Sequence, residues 1–172
     1  MTLKKFDYLE KIHQAYLVAV IRGSDSENAY QIAKACLNGG ISAIELAFTT
    51  PNADDAIKQL NHDYADHATI IIGAGTVLDS ETARIAILAG AKFIVSPSFD
   101  LDTARLCNRY SIPYLPGVFS PTEVYQVLSA GADVVKIFPS ALLGDKVISE
   151  LTGPFPDLKV MPSGGINLDN LA

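Results

Sequence analysis

VLSAGADVVKI, residues 127–137, packs one structural unit into eleven residues. A helix tail ends at a glycine, a short link follows, and a buried strand begins. CLNGGISAIEL (36–46) and AILAGAKFIVS (86–96) follow the same order. Each glycine stands where a helix C-terminus turns left-handed, and each apolar run that follows reads as a strand covered on both faces. The repeat sets the fold class. Strand candidates are LVAVIR (17–22), SAIELAF (42–48), TIIIGAG (69–75), KFIVSP (92–97), PYLPG (113–117), DVVKIFP (133–139) and LKVMPSGG (158–165). They recur every ~20–26 residues with helical stretches between, the spacing of a parallel α/β sheet. Ser80, Ser120 and Asp100 or Asp102 stand where helix N-caps belong, Ser80 opening a capping-box-like SETA, and Pro121 fits a first helical turn.

An open doubly wound sheet would carry a glycine-rich loop after its first strand, whereas IRGSDSEN has no GxGxxG. Polar residues instead end many different strands: Arg22, Glu45, Thr76, Ser96, Lys136 and Ser163. That is the habit of a TIM (β/α)8-type barrel, whose active site collects strand ends around one mouth. Residues 1–172 are expected to form a single βα-barrel domain, with an N-terminal helix over 1–16. Seven strands are counted, so the eighth βα unit is lacking, and truncation at the C-terminal end is the expectation; the edges of strands one and seven would then be unpaired.

The totals narrow the function. The chain has 172 residues and is 49% hydrophobic, enough for one packed core. A formal charge of −6 disfavours nucleic acid and anionic membrane as general partners. No apolar run reaches the ~18 residues of a membrane span, and the charged start lacks the apolar core of a secretion signal. Two cysteines, Cys36 and Cys107, lie in helical patterns, so a cytoplasmic location is expected. His13, His62 and His67 lie away from the strand ends, and no ligand spacing is present, so no metal is expected.

Lys136 stands inside a strand, between Val134–Val135 and Ile137–Phe138. A strand lysine ordinarily reaches out to solvent. Directed at the covering helices it would bury an unpartnered charge. Directed into the lumen near the mouth it is a desolvated amine, favoured as neutral nucleophile, able to attack a carbonyl and form a Schiff base. Glu45 interrupts a second buried strand. It is either the partner of a buried cation or an acid/base with a raised pKa. Both readings hold if Glu45 and Lys136 meet in one lumen.

AIEL with Glu45, GAGTVL with Thr76, IVSP with Pro97, PGVFSPTE, VKIFPS with Lys136, and PSGGI together resemble the 2-keto-3-deoxy-6-phosphogluconate / 4-hydroxy-2-oxoglutarate aldolases, from about Val18 to the last residue. The resemblance implies a class I, Schiff-base aldolase on a (β/α)8 barrel, a homotrimer using neither metal nor cofactor. Its small-molecule partner would be a keto acid. It implies Lys136 as the imine-forming lysine and Glu45 as the acid/base. Thr76 would hold the substrate carboxylate, Pro97 and Phe138 would line the pyruvate pocket, and Ser163, Gly164 and Gly165 would bind phosphate. That last role also follows from a glycine-rich turn entering a helix N-terminus. Many members carry an arginine where this chain has Thr49; Arg22 is similar to the arginine other members use instead, and although a surface ion pair with Asp25 or Glu27 is the alternative, binding of the substrate carboxylate is the expectation, because bidentate donation suits a carboxylate. Two alternatives remain at this point: a phosphosugar epimerase or isomerase using the same pair for proton transfer, and a truncated barrel without catalysis.

Overall fold

Alternation along the strands decides what faces the lumen. The computed structural model describes residues 3–144 and 146–171. Helix α1 (Lys4–Ala15) leads into β1 (Val18–Ile21), then α2 (Ser26–Asn38), β2 (Ala43–Ala47), α3 (Ala53–Asp63), β3 (Ile71–Gly75), α4 (Ser80–Leu88), β4 (Ile94–Val95), α5 (Leu101–Tyr110) and β5 (Tyr114–Leu115). There follow β6 (Gly117–Val118), α6 (Pro121–Ser129), β7 (Val135–Ile137), the short α7 (Ser140–Leu143), α8 (Lys146–Thr152) and β8 (Val160–Pro162). All pairings are parallel, in the orders β1-β2-β3-β4-β5 and β6-β7-β8.

β5 and β6 are the two halves of the expected strand 113–117, interrupted at Pro116, which has no N–H to give a ladder. Its carbonyl still accepts from Lys136 N at 2.9 Å, which joins the two sheets into one curved wall. The described residues thus form seven strand positions. β1 and β8 each pair on one side and not with each other, as the count of seven implied.

Ile44 and Leu46 of β2, Ile72 and Ala74 of β3, and Ile94 of β4 face outward onto the buried sides of α2, α3 and α4. Val135 and Ile137 of β7 do the same against α6 and α8. The alternate residues Ala43, Ile71, Phe93, Val95 and Leu115 fill the lumen, with Ile12 of α1 packed against them. A fully buried side chain of this kind contributes roughly 1.5–3 kcal/mol. Because side chains alternate with period two, Glu45 follows Ala43 into the lumen, and Lys136, flanked by outward Val135 and Ile137, points there too. Lys5 pairs with Asp133 at 2.7 Å and ties α1 to the chain entering β7.

Several expectations are corrected. The helix expected over 1–16 is Lys4–Ala15, with Met1 and Thr2 outside the described residues. Asp79, not Ser80, caps α4: its carboxylate accepts from Thr82 N at 2.6 Å, and Ser80 is the first helical residue. In DSE, two adjacent residues can cap, and the one with extended backbone (φ −152°, ψ 165°) takes the role. Asp100 and Ser120 cap as expected, Ser120 with Glu123 as a full capping box. No helix follows Gly165 among the described residues. Asn170 Nδ2 donates to Gly165 O at 2.9 Å and Asn167 N donates to Asn170 Oδ1 at 2.7 Å, side-chain bonds that compete with a helical ladder. No helix among the described residues is long and apolar enough to cross a membrane.

Candidate active site

Two glycines in β3 make room at the lumen. Glu45 stands opposite Gly73 in the ladder. The hollow at Gly73 is filled by the ring of Phe93. The Glu45 side chain therefore leans one layer further, toward the C-terminal mouth, and lies over Gly75. There its Oε1 is 3.7 Å from Lys136 Nζ, an ion-pair contact too long for a hydrogen bond. Glu45 is fully buried and Lys136 only 5% exposed. Both Glu45 oxygens lack a hydrogen-bond partner. Burial pushes the Glu45 carboxyl up, against the opposing pull of the Lys136 and Arg22 charges. The ammonium of Lys136 also lies 5.3 Å from the centre of the Phe138 ring, within cation–π range.

A cavity of about 830 Å³ opens on this pair and runs between β1 and β8. Arg22, Phe138, Ser163, Gly164 and Gly165 line it along with Glu45 and Lys136. Arg22 does not pair with Asp25, which is engaged in capping α2 through Asn28 N at 2.8 Å. Its Nη2 instead reaches Thr76 Oγ1 at 3.5 Å. Thr76 therefore touches the site through Arg22. Pro97 is not on the cavity wall. Its carbonyl packs against Gly117, the residue paired with Lys136 in the ladder.

The Ser163–Gly165 turn is fixed by the start of α7: Ser140 N donates to Ser163 O at 2.8 Å, and Ser140 Oγ and Ala141 N donate to Gly164 O at 2.9 and 3.0 Å. Gly164 and Gly165 both have φ +85°, a conformation that glycine alone takes freely.

Three supports escaped the sequence reading. Thr50 is buried and accepts from Gly23 N at 3.0 Å, holding the loop that carries Arg22. Tyr114 is buried; its hydroxyl bonds Ser96 Oγ at 2.7 Å and accepts from Asp100 N at 3.2 Å, fixing the loop around Pro97. Gly73 and Gly75 carried the one usable signal, glycines inside a strand pattern, which mark a close approach of another group.

The arrangement is a buried amine beside a buried carboxyl of raised pKa, at the end of a cavity with a guanidinium at its rim. It can form an imine with a small carbonyl compound and move protons about it.

A family model described as KDPG and KHG aldolase matches residues 9–172. A 2-dehydro-3-deoxy-phosphogluconate aldolase of Treponema pallidum is 38% identical over 168 residues, covering 97% of this chain and 77% of that protein. The KDPG aldolase of Legionella pneumophila, solved with pyruvate captured at low pH as a covalent carbinolamine intermediate, superposes with a TM-score of 0.79 at 34% identity, covering 90% of this chain and 73% of that one. The 4-hydroxy-2-oxoglutarate/KDPG aldolase from TTHB1 superposes at 0.83 with 30% identity, covering 95% and 80%.

Proposed function

The chain belongs to the KDPG and KHG aldolase family, and from that we propose that it is a class I aldolase whose Schiff base forms on Lys136, with Glu45 as acid/base. Its substrate is 2-keto-3-deoxy-6-phosphogluconate, cleaved to pyruvate and glyceraldehyde 3-phosphate; 4-hydroxy-2-oxoglutarate gives pyruvate and glyoxylate by the same steps. The observation that carries the reading is the buried Lys136–Glu45 pair, 3.7 Å apart on facing strands of one lumen.

Glu45 accepts the ammonium proton, and the freed amine attacks the C2 ketone to give a carbinolamine. Burial, by raising the affinity of Glu45 for a proton, makes that first transfer easier. Glu45 returns the proton as the C2 oxygen leaves as water, forming a protonated imine. The C3–C4 bond breaks with its electrons passing to the imine nitrogen, while Glu45 takes the proton of the C4 hydroxyl. The aldehyde departs. The enamine is protonated at C3 by Glu45, and water hydrolyses the protonated imine to release pyruvate and regenerate the Lys136 ammonium.

Arg22 and Thr76 suit the substrate carboxylate, the guanidinium by bidentate donation. Phe138 offers an apolar wall, and Pro97 acts from behind Gly117. The glycine turn at Ser163–Gly165 suits the phosphate by its hydroxyl and backbone, without the helix dipole that the sequence suggested. We take residues 1–172 to form one βα-barrel domain, since all strand positions wall the same lumen, and the protein to be cytoplasmic, in keeping with free Cys36 and Cys107. Exposed Leu78, Ile85 and Leu88 give α4 and the turn before it an apolar surface that suits a homotrimer; light scattering should return three chain masses.

Borohydride added with pyruvate tests the chemistry. One reduced pyruvyl adduct is expected on the peptide carrying Lys136, and none in Lys136→Ala. Absence of the adduct in the wild type rejects the aldolase and leaves proton transfer alone.

A further inference from the structure

Gly75 presents a puzzle that conformation does not answer. Its backbone is ordinary strand, paired with Ala47, and it is not among the glycines with positive φ. A strand glycine costs roughly 0.5–1 kcal/mol against alanine, so what the position requires is space. The atoms that a Cβ there would meet belong to one side chain: Oε1, Cδ and Cγ of Glu45. The contrast with Gly73 is informative. There the obstructing atoms are those of the Phe93 ring, which is fully buried and packed in the lumen. Gly73 thus serves packing, whereas Gly75 accommodates the movable end of the acid/base.

The geometry points to Gly75 as a positioning residue: the hollow left by its missing side chain sets where the Glu45 carboxyl lies relative to Lys136. Neither carboxyl oxygen has a hydrogen bond to anchor it. Shape and the charges of Lys136 and Arg22 are what remain to fix it, and the shape is supplied by Gly75. A methyl group at Gly75 displaces the carboxyl from its 3.7 Å station. The displaced group is the flexible end of a side chain, so the fold tolerates the change while proton transfer does not. A misplacement of about 1 Å is worth roughly 100-fold in rate.

This role rests on the aldolase reading, and the test separates the two. Cleavage of 2-keto-3-deoxy-6-phosphogluconate is measured for wild type, Gly75→Ala, Glu45→Gln and the double variant, with the thermal midpoint of each. Gly75→Ala should lower kcat by roughly 100-fold, with KM within about threefold. In the Glu45→Gln background it should change kcat by less than about threefold, because no carboxylate remains to misplace. Any change in midpoint should be the same in both backgrounds. A loss of kcat of equal size in both backgrounds, or wild-type kcat in Gly75→Ala, overturns the role. Should Gly75→Ala fail to fold, Glu45→Asp with Gly75→Ala, whose shorter side chain leaves the hollow free, should match Glu45→Asp alone; a further loss overturns the role. A wild type that captures no pyruvate on Lys136 removes the aldolase reading and this role together. Capture with equal losses in both backgrounds removes this role alone.

Discussion

Thr76 holds a left-handed backbone, φ +53°, although its side chain is β-branched. Such a residue is strained by on the order of 1–3 kcal/mol. Its hydroxyl meets Arg22 at the rim of the cavity, which is a reason for the strain to persist. Thr76→Gly should raise the unfolding free energy by about 1 kcal/mol and raise KM for the keto acid several-fold, read by denaturant melts and steady-state kinetics. Glu45 gives a second expectation. Its carboxyl holds a proton more tightly folded than unfolded. Between the ordinary carboxylate value and the raised one, the folded state binds more protons. The contribution of Glu45 to stability is thus largest below that window and declines as pH rises through it. Wild type should gain in thermal midpoint relative to Glu45→Gln on acidification from about pH 8 to about pH 4; a constant difference contradicts the burial argument. Lys136 and Glu45 were both legible in the sequence, because a charge inside a buried strand demands a reason. Thr76 was legible as a strand-end residue but not as a strained one, since no residue type predicts a left-handed threonine. Gly75 was visible only as a glycine, because what it makes room for comes from a neighbouring strand.

Caps and breaks govern the elements. Asp79 and Ser80 offer a clean comparison: Asp79→Ala should cost about 1 kcal/mol and Ser80→Ala less than about 0.5 kcal/mol, measured by chemical denaturation. The N–H of Thr82 holds the Asp79 carboxyl below the usual carboxylate range. Its capping contribution is therefore present at neutral pH and fades as pH falls through that depressed value. Ser120→Ala should cost about 1 kcal/mol, since it removes a hydroxyl that accepts from Glu123 N at 3.4 Å and donates to Glu123 Oε2 at 2.9 Å. Strand order and helix positions followed from period and turn chemistry. The split of PYLPG follows from its second proline, Pro116, a feature printed in the sequence. The region after Gly165 was misjudged because PSGGINLDN has the glycines of a helix entry, whereas the turn is closed by the side chain of Asn170, which accepts from Asn167 N and donates to Gly165 O.

At the scale of the whole molecule, the strands of the described residues run from β1 round to β8 as two parallel sheets joined at Pro116. β2 and β3 are fully buried and paired on both sides, while β1 and β8 are half-covered and paired on one. The Lys136–Glu45 contact spans the two sheets, with Glu45 in β2 of the first and Lys136 in β7 of the second. Warming that merely lets the two sheets slip past each other will part the amine from the carboxyl while most helices stay formed. Turnover should therefore fail at a lower temperature than the far-ultraviolet circular dichroism signal.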